Sequence, residues 1–293
     1  MGLFNYIRLK IIVSILRLLH VFKEKHPAAS PDHVLQIPSR DPKRAIKVHL
    51  YLPENSNSPS PVLLNSHGSG FVMPLHGSDD VYCRYVSRNS PFTVLDIKYR
   101  LSPEEPFAAP LHDVEDVLKY VQARPKDYDL KRLCISGFSA GANLSLAASS
   151  MMLPKDTFRS IVAIYPPADL AGNPGLKAPP DTSGQRIPPF MSRIFDGSYF
   201  QDHDPHDPRI SPYYAPAENF PQNVLVITPA QDYLCNEGEE LAERIKKDGG
   251  GKYVRSFRIE GCGHAFDKMA SPGSHAETMR EMAYESAVEM LMR

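Results

Sequence analysis

Leu133-Cys134-Ile135-Ser136-Gly137-Phe138-Ser139-Ala140-Gly141 is the stretch of this 293-residue chain on which the fold turns. Leu133 to Gly137 is a largely apolar run of strand length, and Ala140 to Leu153 reads as a helix, so Ser139 falls at the junction between them. A sharp strand-to-helix turn needs glycine on both sides, because the backbone passes close to its neighbours there. Such a turn lifts a serine hydroxyl clear of the sheet. Two glycines flanking a serine also arise by chance; the strand before and the helix after are the context that gives the pattern meaning.

Outward from this point, strands and helices alternate, the signature of an α/β protein with a mostly parallel sheet covered on both faces. Ala45 to Leu52, Pro61 to Ser66, Phe92 to Tyr99, Ser160 to Tyr165, Val224 to Thr228 and Tyr253 to Glu260 read as further strands. Asp79 to Asn89, Leu111 to Ala123, Glu237 to Lys247 and Ala276 to Met292 read as helices. From Pro166 to about Pro216 the alternation stops. A structureless loop of that length is unusual in a compact domain, so an inserted lid with short helices of its own is expected. Phe190, Phe195 and Tyr199 of the lid, with Phe71 and Phe138 beside the motifs, are the candidate pocket residues. No internal repeat is visible, and low complexity is confined to the Glu54 to Pro61 loop.

A serine hydroxyl needs a base to remove its proton, and the base needs a carboxylate to orient it. Glu260-Gly261-Cys262-Gly263-His264-Ala265-Phe266 places a histidine just after a strand. His20, His26, His49 and His275 lack that position and read as structural or solvated. Val224 to Asp232 ends on an acid after the preceding strand, which makes Asp232 the candidate partner of His264. Glu237 and Glu239 are fallbacks, although acids at a helix start have an ordinary dipole explanation. The developing oxyanion needs backbone N–H donors. His67-Gly68-Ser69-Gly70-Phe71 can supply them from Gly68, Ser69 and Gly70, together with Ala140 after the nucleophile.

Composition narrows the partner. Lys and Arg total 33 against 34 for Asp and Glu, dispersed along the chain, so no basic stripe points to nucleic acid and a small molecule is expected. Cys83, Cys134, Cys235 and Cys262 are far apart and form neither a disulfide framework nor a zinc pattern, which fits a reducing, cytoplasmic setting. Cys262 reads as an inert thiol. The Asp202-His203-Asp204-Pro205-His206-Asp207 run resembles a ligand cluster, but its proline and loop setting favour a solvated turn; no metal and no organic cofactor is expected. Leu3 to Phe22 is apolar but interrupted by Arg8, Lys10 and Arg17, too short of uncharged length to span a bilayer. Ala28-Ala29-Ser30 is a weak cleavage site, and no Ser or Thr stands where a myristoylation signal wants one. Lys10, Ser14 and Arg17 share one helical face, so the segment is expected to lie over a hydrophobic surface, the protein's own core or a membrane face.

With these residues in place, the chain from about residue 45 onward resembles the hormone-sensitive-lipase-like esterases of the α/β-hydrolase superfamily. The resemblance rests on the His67 to Phe71 loop, Tyr99-Arg100-Leu101-Ser102-Pro103-Glu104, Pro106-Phe107-Ala108-Ala109, the Gly137 to Gly141 elbow and Asp207-Pro208-Arg209-Ile210-Ser211-Pro212. It implies an α/β-hydrolase fold: an eight-stranded, mostly parallel sheet with a cap built from about residues 1–44 and 166–216 in a single domain. It implies a catalytic triad of Ser139, Asp232 and His264, oxyanion donors at Ser69, Gly70 and Ala140, and ester hydrolysis through an acyl-enzyme. Two departures stand out: Ser69 replaces the family's middle glycine and could narrow the pocket, and Phe138 replaces the usual Asp before the nucleophile. A receptor on the same fold remains open at this stage, as does a hydrolase of a lactone, amide or thioester.

Overall fold

The computed structural model describes residues 1–23, 28–55, 58–184 and 187–293, the side chains of 21–23 excepted. His26 and part of the Glu54 to Pro61 loop therefore lie outside the described residues.

Eight strands form one sheet in the order β1-β2-β4-β3-β5-β6-β7-β8. They are β1 (His33–Pro38), β2 (Ala45–Tyr51), β3 (Ser60–Ser66), β4 (Thr93–Ile97), β5 (Tyr128–Phe138), β6 (Ser160–Ile164), β7 (Asn223–Pro229) and β8 (Tyr253–Ile259). Only β2 runs against its neighbours, pairing antiparallel with β1 and β4; all other pairs are parallel. Every residue of β3, β4, β6 and β7 is buried. A parallel strand covered on both faces has no polar side to show, which is why these segments read as continuous apolar runs.

Successive side chains along each strand feed opposite cores. Val62, Leu64, Ile135, Ile161 and Val224 belong to one, packed by α3 (Ala109–Gln122), α4 (Ala140–Ala147) and α6 (Cys235–Asp248). Leu63, Cys134, Val162 and Leu225 belong to the other, packed by α2 (Asp80–Asn89) and α7 (His275–Met292). Helix α4 is buried all round and continues into a π-helical turn over Ala148–Met152.

One element differs from expectation. His33–Pro38 is not cap but an edge strand, paired from His33↔Leu50 to Pro38↔Ala45. Ile37 is its one buried residue, so it carries almost no hydrophobic signature. Helix α1 (Leu3–Lys23) meets the protein through a narrow seam, with Leu9 and Val13 buried. Its Arg17 is no free polar residue: it donates to the Val72 and Ser102 carbonyls at 2.8 Å each and pairs with Glu104. Leu3, Phe4, Ile7, Ile11, Ile15, Leu18 and Leu19 face outward. Among the described residues, no helix is long and apolar enough to cross a membrane. In the 166–216 insertion the structure shows α5 (Pro189–Phe200), which contacts α1.

Candidate active site

Strand β5 ends at Phe138 and α4 begins at Ala140, so Ser139 alone makes the turn, at φ 49° and ψ −122°. The flanking glycines are required by contact. A Cβ on Gly137 would lie 2.3 Å from the Gly141 carbonyl oxygen, and one on Gly141 would lie 1.9 Å from that of Ser66. The turn is pinned by the Ser139 N–H donating to the Ile164 carbonyl at 2.9 Å, and by the Ala142 and Asn143 N–H groups donating to the Ser139 carbonyl.

Two loops at neighbouring strand ends bring the partners to this serine. After β7, Asp232 sits in a turn whose own N–H bonds the Pro229 carbonyl, and one carboxylate oxygen accepts the Leu234 N–H at 3.1 Å. After β8, the loop carrying His264 is stitched to it by Gln231 N–H donating to the Cys262 carbonyl at 2.9 Å. His264 Nδ1 then lies 2.6 Å from Asp232 Oδ2, and Nε2 lies 3.0 Å from Ser139 Oγ. Burial alone would depress the His264 pKa; the charge and hydrogen bond of Asp232 outweigh it, and the net shift is upward. With Nδ1–H held by the carboxylate, Nε2 is left as the acceptor facing the hydroxyl.

Sequence reasoning missed what holds this loop. Asp267, three residues beyond His264, accepts hydrogen bonds from the Tyr165 and Tyr284 hydroxyls at 2.7 and 2.8 Å. Lys268 bridges Asp267 and Asp79 at 2.8 Å each. Burial would raise the Asp267 pKa, but Lys268 and the two tyrosines hold it below the usual carboxylate range. Nothing local in the sequence announces partners as remote as Asp79 and Tyr284.

The His67 to Phe71 loop follows β3 and borders Ser139. Gly70 has φ +54°, and a Cβ there would come within 2.8 Å of the Phe195 ring, so the glycine lets α5 close over the loop. The Ser69 hydroxyl bonds the Tyr99 hydroxyl at 2.7 Å and accepts the Phe71 N–H at 2.9 Å. Tyr99 in turn donates to the His67 carbonyl at 2.6 Å. The serine thereby braces the loop from behind.

Ser139 and His264 open onto a cavity of about 470 Å³ that Gly68, Ser69, Gly70, Phe71 and Phe195 also line. Three candidate pocket residues are corrected. Phe138 points from β5 into the opposite core, edge-on to Tyr82, with the Lys268 ammonium 3.9 Å from its ring centre. Tyr199 is fully buried behind Phe71, stacked at 3.9 Å. Phe190 is 61% exposed at the outer start of α5. Tyr165, Tyr233, Leu234, Ile187 and Met269 line the cavity instead, with His20 from α1.

The remaining sequence candidates are engaged elsewhere. Glu237 pairs with Lys177 and accepts the Asp169 N–H; Glu239 pairs with Arg258. Cys262 is buried, with its pKa raised by burial. His206 bonds Asp204 and Asp207 pairs with Arg209 in an exposed turn. Among the described residues, His49, His76 and Asp96 offer ligand atoms within 4.8 Å of one another. That group includes neither Ser139 nor His264.

Chemically, the arrangement offers a hydroxyl whose proton has an acceptor in line, an anchored imidazole, and a glycine-containing loop beside the point of attack. The Abhydrolase_3 family model, described as alpha/beta hydrolase fold, matches residues 63–268. The chain is similar to the carboxylic ester hydrolase LipN of Mycobacterium tuberculosis, 27% identical over 235 residues, 73% of this chain and 59% of that protein. It is also similar to an arylesterase of Saccharolobus solfataricus, 25% identical over 246 residues, 79% of this chain and 76% of that one. Among solved structures, an esterase of Pyrobaculum calidifontis is similar with a TM-score of 0.78 at 25% identity, covering 100% of this chain and 98% of the other. The chain spans less than two thirds of LipN's length.

Proposed function

The chain belongs to the Abhydrolase_3 family of the alpha/beta hydrolase fold, and from that premise we propose that it is a serine carboxylic-ester hydrolase acting on a small, largely apolar ester. The observation that carries the proposal is the continuous hydrogen-bonded line from Asp232 through His264 to Ser139, opening onto a cavity. Ser139 Oγ attacks the ester carbonyl as His264 Nε2 takes its proton, and the tetrahedral oxyanion is held by backbone N–H groups of the Gly68 to Gly70 loop and Ala140. His264 then protonates the departing alcohol, leaving an acyl group on Ser139. Water, deprotonated by the same imidazole, attacks the acyl carbon and releases the acid. Asp232 stays ionised throughout, holding the tautomer and stabilising the imidazolium. The mechanism calls on no metal.

The esterase names of its relatives support the reaction class, and the mostly apolar cavity supports the substrate class. Purified protein should hydrolyse a short-chain p-nitrophenyl ester, and Ser139→Ala should not. A folded wild type inert toward a panel of such esters would overturn the proposal.

We place α1 on a lipid surface. Its outward stripe of Leu3, Phe4, Ile7, Ile11, Ile15 and Leu18 is flanked by exposed Arg8 and Lys10, and the helix contains no acid, which suits an anionic membrane face. Co-sedimentation with phosphatidylserine vesicles should fall when Ile11 and Ile15 are both replaced by Glu; equal binding would refute the placement. The four unpaired, buried cysteines support a reducing compartment.

A further inference from the structure

The cavity wall is apolar around Phe71, Ile187, Leu234 and Met269, but one side of it is not. There Ser192 of α5 and Tyr233 satisfy each other, hydroxyl to hydroxyl at 2.9 Å. Asp196, one turn further along α5, also lines the cavity, and among the described residues no donor supplies its carboxyl with a hydrogen bond. Among the described residues, the cation whose charge acts on it is Lys177, which is ion-paired with Glu237.

Asp196 is half-buried, and a carboxyl that opens onto the cavity with no donor from the described fold is placed to accept one from a bound molecule. A structural role would supply a partner within the fold, as Asp113 has in Arg44 and Arg100 and Asp267 has in Lys268. Asp196 faces the space where substrate would sit, in the same cavity as Ser139 and His264.

We propose that Asp196 is a substrate-binding residue whose carboxyl accepts a hydrogen bond from a hydroxyl or ammonium group on the ester, so that the substrates are small apolar esters bearing one such donor. The inference rests on the ester-hydrolase reading and names its substrate class. Burial pushes the Asp196 carboxyl up to about 7, against the opposing pull of Lys177, so near neutral pH a donor entering the cavity meets a carboxyl poised to ionise. A site built to hydrogen-bond a substrate group rejects analogues lacking it far more strongly than an apolar wall selects for shape.

The test compares the ortho, meta and para hydroxyphenyl acetates with the matching methoxyphenyl acetates, and aminomethylphenyl with N-acetylaminomethylphenyl acetates. Each pair is run on wild type, Asp196→Asn and Asp196→Leu. For at least one isomer the wild-type kcat/KM should favour the donor by about tenfold or more, the scale of a hydrogen bond to a charged group. Asp196→Leu should bring the ratio to near one; Asp196→Asn should retain part of a hydroxyl preference and lose an ammonium preference, which tells the two donors apart. Ratios near one in wild type for every pair, or a preference that survives in Asp196→Leu, overturn the inference. The corresponding aryl methyl ketones, titrated by calorimetry, give the same comparison without turnover, so failure of hydrolysis and failure of donor recognition remain distinguishable. Matched circular dichroism and melting temperature verify that each variant is folded, with Asp196→Ala, which also removes the acceptor, replacing the leucine variant if that does not fold.

Discussion

Replacing Gly141 by Ala sets local propensity against tertiary contact. Gly141 is the second residue of α4, where helix propensity alone predicts a gain of about 1 kcal/mol. The structure predicts the opposite sign. The new methyl would sit 1.9 Å from the Ser66 carbonyl oxygen and 2.6 Å from that of His67, roughly 1.5 Å short of the 3.4 Å at which ordinary contact begins. Ser66 is paired on both sides, with Ile97 and with Gly137, so neither backbone can withdraw alone. Overpacking against such surroundings costs about 3 kcal/mol, the upper end of its usual range. The net loss is about 2 kcal/mol, which lowers the melting temperature by roughly 3 °C in a chain of this size. Because the residue abuts the elbow, a shift of about 1 Å at Ser139 should also cut kcat/KM by about 10²-fold. Gly197→Ala in α5, where a Cβ meets nothing within 4 Å, is the control and should raise the melting temperature slightly. Differential scanning fluorimetry and ester kinetics on both variants read the outcome. If Gly141→Ala melts at or above wild type, the close approach of α4 to β3 is not what holds the elbow.

The triad and the core carry further expectations. Asp232→Asn should leave the fold intact and lower kcat by about 10⁴-fold, since the amide no longer favours the productive tautomer; a loss below tenfold would remove Asp232 from the relay. His264 must be neutral to accept the serine proton, and its pKa is raised, so kcat/KM should climb with pH through a midpoint above the ordinary imidazole value of 6.5. A midpoint below that value would contradict the dominance of Asp232 over burial. Phe138→Ala should cost about 3 to 5 kcal/mol in urea unfolding as a buried ring lost from the core, whereas Phe190→Ala should change stability by under about 0.5 kcal/mol. The reverse order would place the two rings wrongly.

Much of this was legible in the sequence, for identifiable reasons. Strands buried on both faces leave unbroken apolar runs, and chain direction then puts Ser139, Asp232 and His264 at the same end of β5, β7 and β8. The 1.9 and 2.3 Å clearances at Gly141 and Gly137 show why the two glycines could be read as a turn rather than as composition. The pocket was not legible to the same degree. Phe138 and Ser139 are neighbours in sequence, but Phe138 is the last strand residue, sent by alternation into the core, whereas Ser139 is already in the turn. Phe190 and Phe195, five residues apart on α5, differ by about 140° around the helix, so both cannot face inward. Edge strand β1 buries Ile37 alone. The Asp79–Lys268–Asp267 network joins segments that only the folded chain brings together.

The central claim, that Ser139 is a nucleophile activated by His264, is tested most directly by intact-protein and peptide mass spectrometry after exposure to a fluorophosphonate. One phosphonyl group should be found on Ser139 in wild type, at a rate that follows the ionisation of His264, and none in Ser139→Ala. Stoichiometric labelling elsewhere, or an unlabelled Ser139 in folded protein, would contradict it.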